Sequence, residues 1–223
     1  MADLFREVDE AMRQERLAKI WEENRIYIIG FVLGTILLTG LISGHRSWDN
    51  SVKEKQTAAF ITLQEASDYP TNVLNTEKLK MRGGLRGVTL LQAAGAFLDQ
   101  DKRDEALTLY ERAGADKALP NDLQHLGILM AVRLLIDNEE QTGETLLAKL
   151  SPVLRSDKSP WNAHARLEAA VINVHKLSNY DDALAHLNAV LDTKGLPESV
   201  YERARTLSHL YSLEQKTAAQ KTE

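Results

Sequence analysis

Apolar residues are distributed in three ways along the chain, and each way predicts a different element. At the start they are sparse and spaced for a helix: Leu4, Val8 and Met12 recur every fourth position, with Phe5 and Ala11 beside them. This predicts an amphipathic head helix over 3–24, with Asp3 placed to cap it and acids in its first turns. From Ile26 to Ile42 the pattern closes up. These seventeen positions hold no charge, and eleven of them are Ile, Leu, Val or Phe. Beyond Ser47 the chain turns to short amphipathic stretches separated by turn residues. Period-two alternation is not sustained there, so no sheet is expected.

The middle run has the length of a membrane span. Seventeen residues rising about 1.5 Å each cover roughly 25 Å, close to the ~30 Å hydrocarbon layer. At about −0.3 to −0.6 kcal/mol per large apolar residue, eleven of them favour insertion by roughly 3 to 7 kcal/mol. Trp21 and Trp48 bracket the run and Tyr27 stands at its edge, an arrangement that suits the headgroup layer. The run is longer than a signal-peptide core and no small-x-small cleavage site follows it. A buried helix of a soluble core would carry a polar face. The expectation is therefore an uncleaved transmembrane helix over 26–44, preceded by a cytoplasmic head over 1–25. Arg6, Arg13, Arg16, Lys19 and Arg25 precede it, against Arg46, Lys53 and Lys55 just after. That bias favours an N-terminus inside and the larger part of the chain on the far side. Gly30, Gly34, Gly40 and Gly44 repeat the G-x-x-x-G spacing and at 100° per residue share a stripe of about 120°. Such a stripe lets another helix approach closely, either a membrane partner or a second copy of the chain. The alternative is that glycine is simply common in membrane helices.

The rest reads as helix pairs. A helix over 48–67 ends at Tyr69-Pro70. Pairs are expected at 85–98 with 103–113, 121–137 with 142–154, and 160–177 with 180–191. A closing helix over 197–213 follows, then a flexible tail over 215–223. Ser159 before Pro160 reads as a helix start, Ser178 and Asp181 as a capping box, and Gly195 with Pro197 as a stop and restart. Leu90, Ala94, Phe97, Ala106, Tyr110 and Ala113 fall at the spacing of a 34-residue tetratricopeptide unit. Small Ala94 and Ala106 stand where the paired helices cross, Phe97 and Tyr110 fill the space beside them, and Ala113 leaves room for the next unit. Leu167, Ala170, Ala183 and Leu187 repeat the pattern loosely. The middle pair is degenerate, with Gly127 as its small residue and Asp137 to Gly143 breaking the count. The expected class is all-α: a single N-terminal transmembrane helix followed by a TPR-like helical-hairpin solenoid over 45–214. A plain helical bundle is the alternative.

Charge and composition narrow the function. The net formal charge is −5. Residues 1–44 hold five Lys/Arg and seven Asp/Glu, leaving 27 − 5 = 22 basic and 32 − 7 = 25 acidic residues beyond, or −3. That argues against nucleic acid as a partner. With no cysteine, disulfides, thiol catalysis and cysteine-bound zinc are excluded. His45, His125, His164, His175, His186 and His209 make no metal-binding pair in sequence. Arg82 to Gly87 carries three glycines in the manner of a phosphate loop, but no strand precedes it and no Lys-Ser/Thr follows. Lys78, Lys80, Arg82 and Arg86 form a basic patch, read as a solvated face. Asp181 and Asp182 are acids at a helix start. No nucleophile–base constellation is present, so neither catalysis nor a cofactor or metal is expected.

Met1 to Glu10, Trp21 ahead of a single span, Arg86 to Gly95, Asp104 to Tyr110 and Ser159 to Ala163 resemble the alphaproteobacterial tetratricopeptide repeat-like membrane proteins. They are similar to the YfgM-like ancillary subunits of the SecYEG translocon. The resemblance covers nearly the whole chain. It implies an inner-membrane anchor with a cytoplasmic N-terminus and repeats in the periplasm. It also implies an accessory or chaperone-adaptor role at the translocon, beside a periplasmic prolyl isomerase. The alternative is a structural scaffold or assembly subunit of another inner-membrane or envelope complex.

Overall fold

The structure, a computed structural model, describes the backbone of residues 2–76 and 79–222. It describes all side chains within those ranges except those of 2–11, 13–20, 22–24, 28, 29, 32, 33, 219, 221 and 222. Every regular element among the described residues is a helix: α1 (Ala2–Glu65), α2 (Tyr69–Asn75), α3 (Gly83–Leu98), α4 (Arg103–Ala115), α5 (Asn121–Leu135), α6 (Gly143–Leu154), α7 (Asn162–Leu177), α8 (Tyr180–Leu191) and α9 (Glu198–Thr222). The chain is all-α and forms two compact units, Met1–Lys55 and Gln56–Glu223.

The stretches expected over 3–24, 26–44 and 48–67 run together in the one helix α1, which ends at Glu65. No proline occurs before Pro70, and single glycines weaken a helix by about 1 kcal/mol without ending it. Leu4, Phe5, Val8 and Ala11 of the head lie outside the described side chains. Among the described residues no helix is long and apolar enough to cross a membrane. The expected span over 26–44 includes Ile28, Ile29, Val32 and Leu33, whose side chains lie outside the described residues.

Four local expectations are corrected. Tyr69-Pro70 begins α2 rather than marking only a stop, because proline fits the first helical turn, where no N–H bond is required. Ser178 takes the left-handed conformation that ends α7 (φ 53°), so the cap of α8 is Asn179, whose Oδ1 accepts from Asp182 N at 3.1 Å. Ser159 holds a turn instead of capping α7 directly: its Oγ accepts from Trp161 N at 3.3 Å, and the helix begins at Asn162. The tail expected over 215–223 is helical as far as Thr222, since Gln215 to Thr222 contains only good or tolerated helix formers.

Each helix from α3 to α9 packs on the next. α3 also touches α5, α5 touches α7, and α7 touches α9. α3, α5, α7 and α9 therefore form one layer, with α4, α6 and α8 packed against it. This is a stack of helical hairpins, compatible with a TPR-like repeat. Leu90, Ala94, Phe97, Ala106, Tyr110 and Ala113 lie in one buried cluster between α3 and α4, joined by Leu109, Leu119 and Ala131. A second cluster joins Leu129 and Val132 to Leu146, Leu150, Ala169 and Ile172. A third joins Leu167, Ala170, Ala183, Leu187, Ala204 and Tyr211. Side chains also close helix ends across the stack. Arg112 donates to the carbonyls of Val73, Leu74 and Thr76, at 3.3, 3.0 and 2.6 Å, and so covers the end of α2. Asn162 Nδ2 does the same for α6 through Val153, Leu154 and Ser156.

Candidate functional surfaces

Two surfaces offer something beyond packing. The first is the apolar part of α1. Ile26, Tyr27, Phe31, Ile36, Leu37, Leu38, Leu41 and Ile42 are all exposed, Phe31 by 78 % and Leu41 by 72 %. At 100° per residue they occupy several sides of the helix, so the segment lacks the single buried stripe of a core helix. Its hydroxyls are turned inward. Thr35 Oγ1 donates to Phe31 O at 2.8 Å and Thr39 Oγ1 to Thr35 O at 2.7 Å. A contiguous apolar surface of this kind needs a cover. A Cβ added at Gly30, Gly34, Gly40 or Gly44 would meet no described atom within 4 Å, so the glycine stripe is open. Trp21, Tyr27 and Trp48 are exposed as well.

The second surface is on the layer of odd-numbered helices, where Arg133 of α5, His164 and Glu168 of α7 and Arg203 of α9 come together. Glu168 is buried, with its side chain 4 % exposed. Its Oε1 accepts from Arg133 Nε at 3.0 Å and Nη2 at 2.6 Å, and Arg203 Nη2 lies 3.6 Å away. His164 Nδ1 is buried with no hydrogen-bond partner among the described residues. Sequence reasoning missed this cluster. Its one visible sign is a lone acid among Leu167, Ala169 and Ala170.

Burial holds the His164 pKa below the ordinary histidine value. The charges of Arg133 and Arg203 add to the effect and Glu168 opposes it. His186 is lowered too, by burial and then Arg166, against Asp182. An unfolded chain takes up these protons near pH ~6.5. Below that value the unfolded state binds more protons than the folded one, so stability is full above it and falls with pH. The melting temperature is expected to be lower at pH 5.5 than at pH 7.5. In His164→Gln the drop should be smaller; an unchanged drop would show that His164 does not contribute.

The remaining candidates resolve into packing. The basic patch is partly neutralised: Arg86 Nε pairs with Asp116 Oδ2 at 2.7 Å and its Nη1 donates to Met81 O. Lys78 lies outside the described residues. A cleft of about 560 Å³ beside it is lined by Leu79, Lys80, Arg86, Leu90, Arg112 and Asp116. Two of the three glycines of Arg82 to Gly87 serve close approach, while a Cβ at Gly84 would meet no described atom within 4 Å. A Cβ at Gly83 would meet Ala118 O, and one at Gly87 would meet Leu123 Cδ1 at 2.7 Å. Among the described residues no group of three or more His, Asp or Glu could hold a metal ion. No family model, curated protein or solved structure matches the chain.

Proposed function

We propose that the chain is a membrane-anchored protein–protein interaction module. The segment over 26–44 spans the inner membrane, the head is cytoplasmic, and a TPR-like stack stands in the periplasm as an accessory or chaperone-adaptor element at the Sec translocon. The observation that carries this reading is the uncharged run from Ile26 to Ile42, whose described large side chains are exposed, in a chain that also folds a stack of helical hairpins. Lipid is the natural cover for such a run. Stacked hairpins leave an extended surface that holds peptides or partner helices by contact, without turnover. The motif resemblance supports the translocon as the place of work, with a periplasmic prolyl isomerase as a neighbour.

Crosslinking of the full-length chain in intact membranes tests the reading. Translocon subunits and exported clients are expected, and a form lacking residues 1–44 should still capture clients. A reporter active on one side of the membrane, fused after Glu223, should report the periplasmic side. Capture of an unrelated envelope complex alone would replace the translocon reading with the scaffold one.

The open glycine stripe favours that second reading enough to test it. If helix packing in the bilayer holds the complex together, Gly34→Leu should abolish co-purification of the membrane partner and any crosslinked dimer, because a leucine keeps the approaching backbone away. Unchanged co-purification would remove the stripe from the account.

A further inference from the structure

The cluster around Glu168 goes beyond what a stack of hairpins requires. Glu168 is buried between two half-exposed arginines, and burying its charge costs desolvation that a well-packed apolar side chain would not, so packing alone does not account for it. Its charge is unbalanced. Two guanidiniums face one carboxylate, and His164 adds no charge near neutral pH because burial and those same guanidiniums keep it deprotonated. Among these four residues one positive charge is left over; the next carboxylate, Glu214 of α9, acts with Arg203 and Glu168 on Tyr211. Both arginines reach solvent, with side chains 40 % and 48 % exposed. A guanidinium carries five N–H donors. Arg133 gives Nε and Nη2 to Glu168, while Arg203 stands at 3.6 Å, beyond hydrogen-bond distance. Glu168 thus holds two guanidinium forks in place on the layer formed by α5, α7 and α9 and leaves N–H groups of both directed elsewhere. The buried Nδ1 of His164, with no hydrogen-bond partner among the described residues, is a second unfilled polar position beside them.

We propose that this cluster binds an acidic side chain within a segment of another protein: Arg133 and Arg203 grip the carboxylate from the two helices on either side of α7, and Glu168 positions both. A planar fork suits a carboxylate, and charge-assisted pairs of this kind are the strong ones. The inference rests on reading the stack as a protein-binding module and names the chemistry of what it binds.

The probe is an N-acetylated, C-amidated octapeptide of alternating glutamate and glycine carrying a neutral fluorophore. It is titrated by anisotropy with the full-length chain in detergent micelles. Saturable binding that weakens as salt is raised is expected, and the glutamine version should not bind. Arg203→Gln should weaken binding at least about tenfold, the loss of one charge-assisted contact, and Arg203→Lys by less. Arg203 is half-exposed and its removal leaves the Arg133–Glu168 pair intact, so the melting temperature should change little. Equal binding of the glutamate and glutamine peptides to the unaltered chain overturns the proposal whatever the variants do. So does wild-type affinity in Arg203→Gln, or a glutamine peptide with a free C-terminus outcompeting the glutamate peptide. Lost peptide binding with retained translocon crosslinks removes this inference alone. Peptide binding with no protein crosslink removes the interaction-module reading instead.

Discussion

Replacing Leu37 and Leu41 together by arginine is expected to move the chain from the membrane pellet to the supernatant. An arginine near the centre of a span costs about 2.5–3.5 kcal/mol on the insertion scale, which Leu37→Arg incurs in full and Leu41→Arg, nearer the end of the run, in part. The run as a whole favours insertion by only roughly 3 to 7 kcal/mol on the same scale, and it also loses the two leucine contributions. The preference for insertion is therefore largely cancelled. Both leucines are exposed, by 67 % and 72 %, and both lie in the unit Met1–Lys55 rather than in the helical stack. The melting temperature of the stack should not change. The fraction sedimenting with membranes after an alkaline wash reads the result. A double variant that sediments as the unaltered chain does would mean that something other than this segment holds the protein there.

The second large effect lies in the stack. A Cβ at Gly127 would stand 2.7 Å from Gly114 N, 2.9 Å from Tyr110 O and 3.0 Å from the Ala113 Cβ. The first two are backbone atoms of α4, so no side chain can turn aside, and α4 and α5 would have to separate. That separation opens the buried cluster holding Tyr110 and Ala113. Gly127→Leu is expected to destabilise the stack by about 3 kcal/mol, at the upper end of overpacking costs. Gly127→Ala should cost less, because it adds one methyl group where leucine adds four carbons, and part of that cost is offset by the roughly 1 kcal/mol by which alanine exceeds glycine in helix propensity. Gly95, where a Cβ meets no described atom within 4 Å, is the control: Gly95→Ala should stabilise by up to about 1 kcal/mol. Denaturant unfolding gives all three values. Wild-type stability in Gly127→Leu would show that α4 and α5 do not pack this closely.

The helix pairs were legible because two local signals agree at each boundary. Around Asp99 to Lys102, for example, the 3.6-residue period stops where turn residues begin, and Asp101 takes the left-handed conformation (φ 58°) that the turn requires. The small residues at the helix crossings were legible for the same reason, since their spacing lies within one hairpin. Caps were read one residue or more out of register. Ser178 and Asn179 are both capping residues by type, and only the backbone decides that Ser178 turns left-handed and Asn179 accepts from Asp182. The roles of Gly83 and Gly87 depend on Ala118, Leu119 and Leu123, some thirty residues away, which no local pattern encodes. Glu168 was hidden more deeply. Its partners Arg133 and Arg203 lie on two other helices, and periodicity treats a single acid in an apolar stretch as noise.

Where the unaltered full-length chain goes when a lysate is fractionated without detergent tests the central claim most directly. It should sediment with the membranes, resist the alkaline wash and be released by detergent. A folded monomer left in the clear fraction would contradict the account.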